Sequence, residues 1–447
     1  MSELETRTVG KVMWRLLPFL IVCYFVAFLD RVNVSFAKLQ MNQALGLNDA
    51  AFGFGAGLFF VAYFLLEVPS NLLLERFGAR RWIARIMFTW GLVSGCFAFI
   101  PSISHATGFS NESTFYVLRF LLGICEAGFF PGVIFYLTLW FPSAYRARVI
   151  SIFMLAIPIS SIIGAPISGA LLDVKGWGLD GWQWLYLLEA VPSVLLSLVV
   201  FFYLTDYPRG ARWLQLDEIQ WLDSRLESEK QLKQKAEHFG LLKAITDPRV
   251  LFCAFVYFCH NAAGYGLSFF LPTIIKEFGV GNAQTGMLTA VPYIVGAVGM
   301  VIFARHSDRK VERKGHVAAA LCMVGVGIGL SGLIGDPVTK MALLCLAMIG
   351  SSALPSMFWP LPASLLTGAS AAAGIAAINS LGNLAGFFGP YAMGYLKDQT
   401  GDFKVGLLCL AAFAFAGAGV VLTLRINPAL ERAAMQPHGG PEPALTR

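Results

Sequence analysis

Residues 16–38 read LLPFLIVCYFVAFLDRVNVSFAK, an almost unbroken apolar run that carries Asp30 and Arg31 well inside it. A helix of about 20 mostly apolar residues is needed to cross the hydrocarbon core of a bilayer. A charge in that core costs at least about 2.5–3.5 kcal/mol, so charged residues there are rare and usually face a cavity or a partner. The stretch therefore predicts a membrane span with functional charges.

The rest of the chain repeats the apolar run. Only 13% of the 447 residues are charged and 57% are hydrophobic, whereas soluble domains contain about 25% charged residues. We therefore predict an all-α membrane protein with twelve transmembrane helices. The predicted spans, numbered 1 to 12 in chain order, are 16–38, 51–74, 82–100, 115–138, 145–172, 183–204, 249–275, 284–304, 315–335, 340–366, 371–396 and 404–425.

One long polar stretch, 205–248, separates the spans into two groups of six. Apolar residues recur between its charges, which indicates one or two amphipathic helices outside the bilayer. The predicted organisation is therefore a six-helix half at 1–204, a central loop at 205–248, a second half at 249–426 and a tail at 427–447.

Lysines and arginines lie mainly on one side of the predicted bundle. The side of the N-terminus holds 25 of the 33, and the other side holds six. Because positive loops remain in the cytoplasm, we expect both termini and the central loop to be cytoplasmic. The net charge of +6 follows from this topology, and no nucleic-acid partner is expected.

The loops after spans 2 and 8 share the pattern acid–Arg–x–x–x–basic–basic, which indicates an internal repeat. An acid there can accept hydrogen bonds from the basic cluster and from a neighbouring helix N-terminus. We predict a breakable cytoplasmic gate; the alternative is a topology anchor only. The predicted gate residues are Glu75, Arg76, Arg80, Arg81, Asp308, Arg309 and Arg313.

These features together resemble the major facilitator superfamily, and within it the anion:cation symporter family. The resemblance covers almost the whole chain. Superfamily loops usually begin with Gly where this chain has Asn71, although Asn is usual in this family. The segments that carry the resemblance are YFVAFLDRVN at 24–33, EVPSN at 67–71, GAR at 78–80, RFLLG at 119–123, EAG at 126–128, FWPLP at 358–362, NSLGN at 379–383 and GP at 389–390.

The resemblance implies a function as well as a fold. Members of that family import organic acids with protons through the bacterial inner membrane, by alternating access between two six-helix halves. Their substrate classes include sugar acids, tartrate and aromatic carboxylates such as phthalate, hydroxyphenylacetate and nicotinate. The resemblance therefore implies proton-coupled import of a small organic anion.

Four ionisable residues within spans 1 and 4 are the main site candidates: Asp30, Arg31, Arg119 and Glu126. A guanidinium stays charged and binds carboxylates through two N–H groups, so Arg31 and Arg119 are predicted to bind the substrate anion. When a substrate carboxylate replaces a buried acid as the partner of an arginine, that acid loses its stabilising cation and becomes easier to protonate. We expect Glu126 to be the main proton-coupling acid and Asp30 to be the partner of Arg119. The alternative is a permanent cluster that only fixes helix packing.

The second group of spans offers polar and aromatic candidates. Amides can bind a carboxylate or hydroxyl, and an indole can line an apolar wall. Each candidate could instead be a packing residue, and a helix contact is favoured for His260, Glu67 and Glu189. The further predicted substrate-binding residues are His260, Asn261 and Asn379, with Tyr63, Ser356, Trp359 and Asn383 implied by the family resemblance.

The remaining expectations concern ligands and alternatives. Residues 156–161 of span 5 contain no long amide, which favours a less hydroxylated or aromatic carboxylate over a sugar acid. The eight cysteines form no CxxC pair, so we expect no metal and no cofactor, with protons as the coupling ion. We expect a monomer in the lipid bilayer. A proton-independent exchanger or facilitator is the main alternative, and a membrane enzyme or a transporter-like sensor is a remote one, since the spans lack HExxH and GxSxG.

Overall fold

The computed structural model describes residues 3–234, 246–310, 312–365 and 369–424. Within these ranges the chain forms helices and no β-strand. The predicted tail at 427–447 and residues 235–245 of the predicted central loop lie outside the described residues.

The first six spans form nine helical segments, because three of the spans are interrupted. These segments are α1 (Glu3–Leu45), α2 (Asp49–Phe77), α3 (Ala79–Cys96), α4 (Ile100–Thr107), α5 (Asn111–Glu126), α6 (Phe129–Thr138), α7 (Ser143–Met154), α8 (Ala156–Leu171) and α9 (Gly181–Tyr203). The predicted amphipathic stretch contains α10 (Leu216–Gln234).

The last six spans follow the same plan. Their segments are α11 (Pro248–Lys276), α12 (Asn282–Lys310), α13 (Lys314–Ser331), α14 (Pro337–Phe358), α15 (Pro360–Leu365), α16 (Ala369–Asn383), α17 (Ala385–Thr400) and α18 (Lys404–Thr423). Among the described residues, eleven helical stretches are long and apolar enough to cross a membrane. The pair α16 and α17 forms a further helical stretch where span 11 was predicted, so all twelve predicted spans are helical.

Four spans are broken near their middle. The two broken spans of the second half lie six spans after the two broken spans of the first half. Spans 4 and 5 break at 127–128 and at Leu155, and spans 10 and 11 break at Trp359 and Leu384. At the first break, Gly128 has a φ of +88°, and a Cβ there would overlap the Ser70 hydroxyl of α2. Glycine alone fits that position readily. Broken helices of this kind are tolerated where the backbone lines the protein interior.

The most extensive contacts between the first six spans and the last six are made by two helix pairs: α2 packs along α17, and α8 packs along α12. Small residues permit this approach, since a Cβ at Gly53 of α2 would overlap the Pro390 carbonyl of α17.

Polar contacts also join the two groups of spans at the end of the bundle farthest from α10. There the Asp49 carboxylate pairs with Lys38 at 2.5 Å and with Lys397 at 3.1 Å. Lys397 lies in α17, so this cluster connects the first six spans with the last six.

The helix α10 instead attaches to the first six spans. Glu218 of α10 pairs with Arg7 at 3.1 Å and with Lys11 at 2.9 Å, both from the start of α1. Arg146 of α7 pairs with Glu229 at 2.8 Å. The start of α1 therefore continues as a helix beyond its apolar run, where it holds α10.

Candidate functional site

An ion pair between Arg31 of α1 and Glu126 of α5 lies inside the bundle. The Nε atom of Arg31 donates to Glu126 Oε1 at 3.1 Å, and Nη2 donates to the same oxygen. Glu126 is 1% exposed, and it is the last residue of α5, directly before the break in span 4. The Arg31 side chain is 13% exposed, so its guanidinium is paired and largely buried.

Aromatic rings surround the Arg31 guanidinium. Its central carbon lies 5.9 Å from the ring centre of Phe28, 5.3 Å from Phe59 and 5.5 Å from Tyr63. Rings at this distance attract a cation through their faces. Predicted site residue Tyr63 therefore lies beside Arg31.

The last six spans also reach Arg31, through Tyr265 of α11. Tyr265 packs on Phe60 of α2, with 4.5 Å between the ring centres. Arg31 therefore lies where the two groups of spans meet. The residues Tyr257, Asn261 and Tyr265 recur every four positions on α11, a spacing that places them on one face of the helix. Tyr257 was not among the predicted site residues, although this spacing could have identified it.

Arg119 of α5 is 1% exposed and incompletely bonded. Its Nη2 donates to the Ala56 carbonyl at 3.1 Å, and its central carbon lies 5.2 Å from the Phe59 ring centre. Its Nε has no hydrogen-bond partner among the described residues. A buried donor without a partner costs free energy, which an anionic ligand could recover.

The expected pairing of Asp30 with Arg119 is wrong. Asp30 Oδ2 accepts hydrogen bonds from Trp90 Nε1 at 2.8 Å and from Ser193 Oγ at 2.5 Å. Its Oδ1 accepts from Ser94 Oγ at 3.1 Å. Adjacent residues on a helix point about 100° apart, so Asp30 faces α3 and α9 whereas Arg31 faces α5. The four buried charges therefore do not form one cluster, and the neutral donors on Asp30 were not singled out from the sequence.

Three predicted residues of the last six spans gather around Tyr257. The His260 ring stacks beside it at 6.0 Å between centres, and the Trp359 ring lies 5.0 Å away. Asn261 donates to the Gly382 carbonyl at 3.1 Å. His260 Nδ1 is buried and has no hydrogen-bond partner among the described residues. These contacts bring His260, Asn261 and Trp359 together as a polar and aromatic wall.

The other three predicted residues of this half are more peripheral or only half-buried. Ser356 is exposed, and its hydroxyl donates to the Ala353 carbonyl of its own helix at 2.7 Å. Asn379 and Asn383 are half-buried on α16. Asn383 is the last residue before the break in span 11, just as Trp359 forms the break in span 10. Two predicted site residues of this half thus lie at helix breaks.

The predicted gate loops show contacts within each half. Asp308 pairs with Arg313 in the same loop. The backbone N–H of Arg80 donates to Asp206 Oδ1 at 2.8 Å, so Asp206 caps the helix that follows the first gate loop. Glu75, Arg76, Arg81 and Arg309 are exposed. Asp206 lies outside both predicted gate loops, and the gating role of the loops stays a prediction.

Comparisons with known proteins agree with this architecture. The family model described as Major Facilitator Superfamily matches residues 20–390. The chain is 49% identical to an Agrobacterium vitis protein named "Putative tartrate transporter", over 95% of this chain and 96% of that protein. It is 42% identical to the "Quinolone resistance transporter" of Acinetobacter baumannii, over 96% of this chain and 97% of that one. The solved structure of a D-xylose-proton symporter matches with a TM-score of 0.73 and 13% identity, covering 92% of this chain and 97% of that one, which shows a shared fold alone.

Proposed function

Because the chain belongs to the major facilitator superfamily, we propose that it imports a small organic anion together with protons. The observation that carries this proposal is the Arg31–Glu126 ion pair, which lies inside the bundle where the two groups of spans meet. A cation that is already paired with an acid can exchange that acid for a substrate carboxylate.

The exchange couples the substrate to a proton. When a substrate carboxylate replaces Glu126 on the Arg31 guanidinium, the freed Glu126 carboxyl is left buried without its cation. Burial without a cation disfavours the charged form, so Glu126 takes up a proton. With a monocarboxylate, the loaded site then holds one additional negative charge and one additional proton, which leaves its net charge unchanged. This is coupling through a shared partner, and it is reciprocal: protonation of Glu126 also favours substrate binding.

Arg119 and the aromatic rings are the proposed recognition elements for the substrate. The unpartnered Arg119 Nε offers a second cationic contact, and Phe28, Phe59 and Tyr63 line an apolar surface around Arg31. The name of the Agrobacterium vitis relative supports a tartrate-like diacid, whereas the rings support an aromatic carboxylate. The proposed substrate class is therefore a small mono- or dicarboxylate.

Alternating access between the two groups of spans would carry the site across the membrane. With the termini in the cytoplasm of a bacterium, as the positive charges predict, the end closed by Asp49, Lys38 and Lys397 faces outwards. We therefore infer an inner-membrane protein closed to the outside in this conformation.

Purified protein in proteoliposomes tests the proposal. Thermal stabilisation by tartrate, nicotinate, phthalate, galactonate and a quinolone first identifies a ligand, because a ligand that binds only the folded state raises the melting temperature. Uptake of that ligand in labelled form is then measured in parallel with the signal of a pH-sensitive dye inside the vesicles. Internal acidification that follows substrate addition is the expected result. Substrate uptake without a pH change would overturn proton coupling and favour an exchanger or facilitator.

A further inference from the structure

A further buried acid, Glu189 of α9, lies close to Asp30. Glu189 is 2% exposed, and its Oε1 accepts a hydrogen bond from Ser168 Oγ of α8 at 2.7 Å. Its Oε2 makes no hydrogen bond to any described residue, and no ion pair involves it within the described chain. An ionised carboxylate needs several donors or a cation when water is excluded. One hydroxyl at hydrogen-bond distance, with the neutral Asn33 amide beside it, does not meet that need.

Asp30 has the opposite environment. Trp90, Ser193 and Ser94 donate to its two oxygens at 2.5 to 3.1 Å. Three neutral donors, spread over both oxygens, suit an ionised carboxylate. Of the two neighbouring acids, Asp30 is therefore built to be charged, and Glu189 is not.

Asn33 of α1 lies beside both acids. Its amide nitrogen points at Asp30 Oδ1 from 3.5 Å, and its side chain also adjoins the Glu189 carboxyl. Its Oδ1 is buried without a hydrogen-bond partner among the described residues, as is Glu189 Oε2. Two buried acceptor oxygens in one small group therefore lack a donor. A proton on Glu189 Oε2 is the donor that this group needs.

We propose that Glu189 holds a proton, and that Asp30, Asn33 and Glu189 form a second proton site in which Asp30 is ionised and Glu189 is protonated. The Asn33 amide offers its NH2 group to one acid and its carbonyl to the other.

The groups that face this site explain why one proton is retained. Glu189 faces Asp30 and the hydroxyl of Tyr186, and Asp30 is also a neighbour of Glu126. The elements α3 and α8 contribute neutral donors: Trp90 and Ser94, and Ser168. Among the described residues no cation contacts either carboxyl group, so two negative charges so close together would repel each other, and a proton on Glu189 removes the repulsion.

The role of this site in transport rests on the proposed proton-coupled function, but the presence of the proton does not. Infrared spectroscopy of the full-length protein in liposomes detects the carbonyl stretch of a protonated carboxyl group as the pH is varied. We expect Glu189→Gln to remove one carboxyl component from the wild-type spectrum. In Asp30→Asn, a titration towards higher pH should remove that component at a lower pH than in the wild type, because the neighbouring negative charge that favours the proton on Glu189 is gone.

Ser197→Ala is the matched control on the same helix. Ser197 is buried, and its hydroxyl bonds only to the Val194 carbonyl of its own helix at 2.6 Å. A spectrum that keeps every carboxyl component in Glu189→Gln would overturn the proposal, as would an unchanged titration in Asp30→Asn. If Glu189→Gln does not fold, Ser168→Ala decides: loss of its hydrogen bond should shift the carbonyl frequency, and an unshifted component would contradict the proposal.

Transport measurements separate this proposal from the general one. We expect Glu189→Gln to carry one proton fewer per substrate than the wild type. An unchanged proton count would remove Glu189 from the coupling role. If the wild type carries no protons at all, the proposed function fails, and the infrared titration still shows whether Glu189 holds a proton.

Discussion

Asp398 of α17 caps the N-terminus of α2 by accepting a hydrogen bond from the backbone N–H of Ala50 at 2.7 Å. Its other carboxylate oxygen accepts from the Asp49 N–H at 3.1 Å. A helix of the first six spans is therefore capped by a side chain of the last six. Separation of the two groups of spans at this end must break the cap, so the cap favours the closed arrangement.

We expect Asp398→Ala to favour opening at this end. Loss of a helix cap costs about 0.5–2 kcal/mol, which corresponds to a several-fold increase in the open population. The measurement is the rate of thiol labelling of Thr273→Cys, a position within 3.4 Å of Lys38 at the closed end. Asp402→Ala is the control, because Asp402 caps only Lys404 in its own half, at 2.9 Å. Equal labelling rates in the two variants would contradict the role of the cap.

Substrate binding should depend on Arg31 and Arg119. We expect Arg31→Ala and Arg119→Ala each to abolish uptake, and Arg31→Lys to weaken binding strongly, because an ammonium lacks the planar pair of donors. Binding is measured by thermal stabilisation and uptake in proteoliposomes. Arg209→Ala is the control, since Arg209 is exposed and pairs only with Asp223 outside the spans. Normal uptake by Arg31→Ala would place the anion site elsewhere.

Glu126→Gln should separate transport from accumulation. The amide keeps the shape of the protonated acid but cannot exchange a proton, so substrate exchange across the membrane should continue while proton-driven accumulation is lost. Counterflow of labelled substrate measures exchange, and uptake under an imposed pH gradient measures accumulation. Full accumulation by Glu126→Gln would exclude it as the coupling acid.

Gly128→Ala should destabilise the protein more than Gly108→Ala does. Both glycines have positive φ, +88° and +76°, so both substitutions carry the cost of the left-handed conformation. Only at Gly128 does the added Cβ overlap another residue, Ser70 of α2, whereas the space around Gly108 is open. Thermal unfolding in detergent measures the difference. Equal melting temperatures would contradict the prediction, because they would show that α2 shifts to accommodate the added methyl group at the break in span 4.

Acid pH should release α10 from α1 through Glu218. Burial opposes ionisation of this carboxyl, but the Gln215 N–H, Lys11 and Arg7 stabilise its charged form more, so its pKa lies below the usual value. A depressed pKa stabilises the folded state above the unfolded pKa, and this contribution is lost as pH falls through the folded pKa. We expect Glu218→Gln to lower stability at neutral pH and to match the wild type at low pH. Glu227→Gln, on the exposed face of α10, is the control, and an equal loss at neutral pH in both variants would contradict the prediction.

Hydropathy alone predicted most of the fold. Each of the twelve predicted spans is helical, although several helices run beyond the apolar run. α1, for example, begins at Glu3 because its polar first turns bind α10. Hydropathy reports only the part of a helix that meets lipid or the core, so it could not predict that extension.

The contacts within the candidate site were predicted less completely than the fold. Buried charge in an apolar run was enough to select Arg31, Arg119 and Glu126. The partners of Asp30 could not be predicted, because Trp90 and Ser193 are ordinary residues of spans 3 and 6 until packing turns them towards one carboxylate. Glu189 was interpreted as a helix contact, since nothing in its own span reveals the missing donor at its Oε2.

The sequence by itself determined the number of spans, their helical character, the family and the set of buried charges, because apolar length and charge are properties that each segment carries alone. The tertiary structure decided which acid meets which base: Arg31 with Glu126, Asp30 with neutral donors, and Asp398 with the start of α2. The physical reason is that a partner depends on how each helix is rotated against its neighbours and on where its backbone is broken. Both are set by the packing of all twelve spans together.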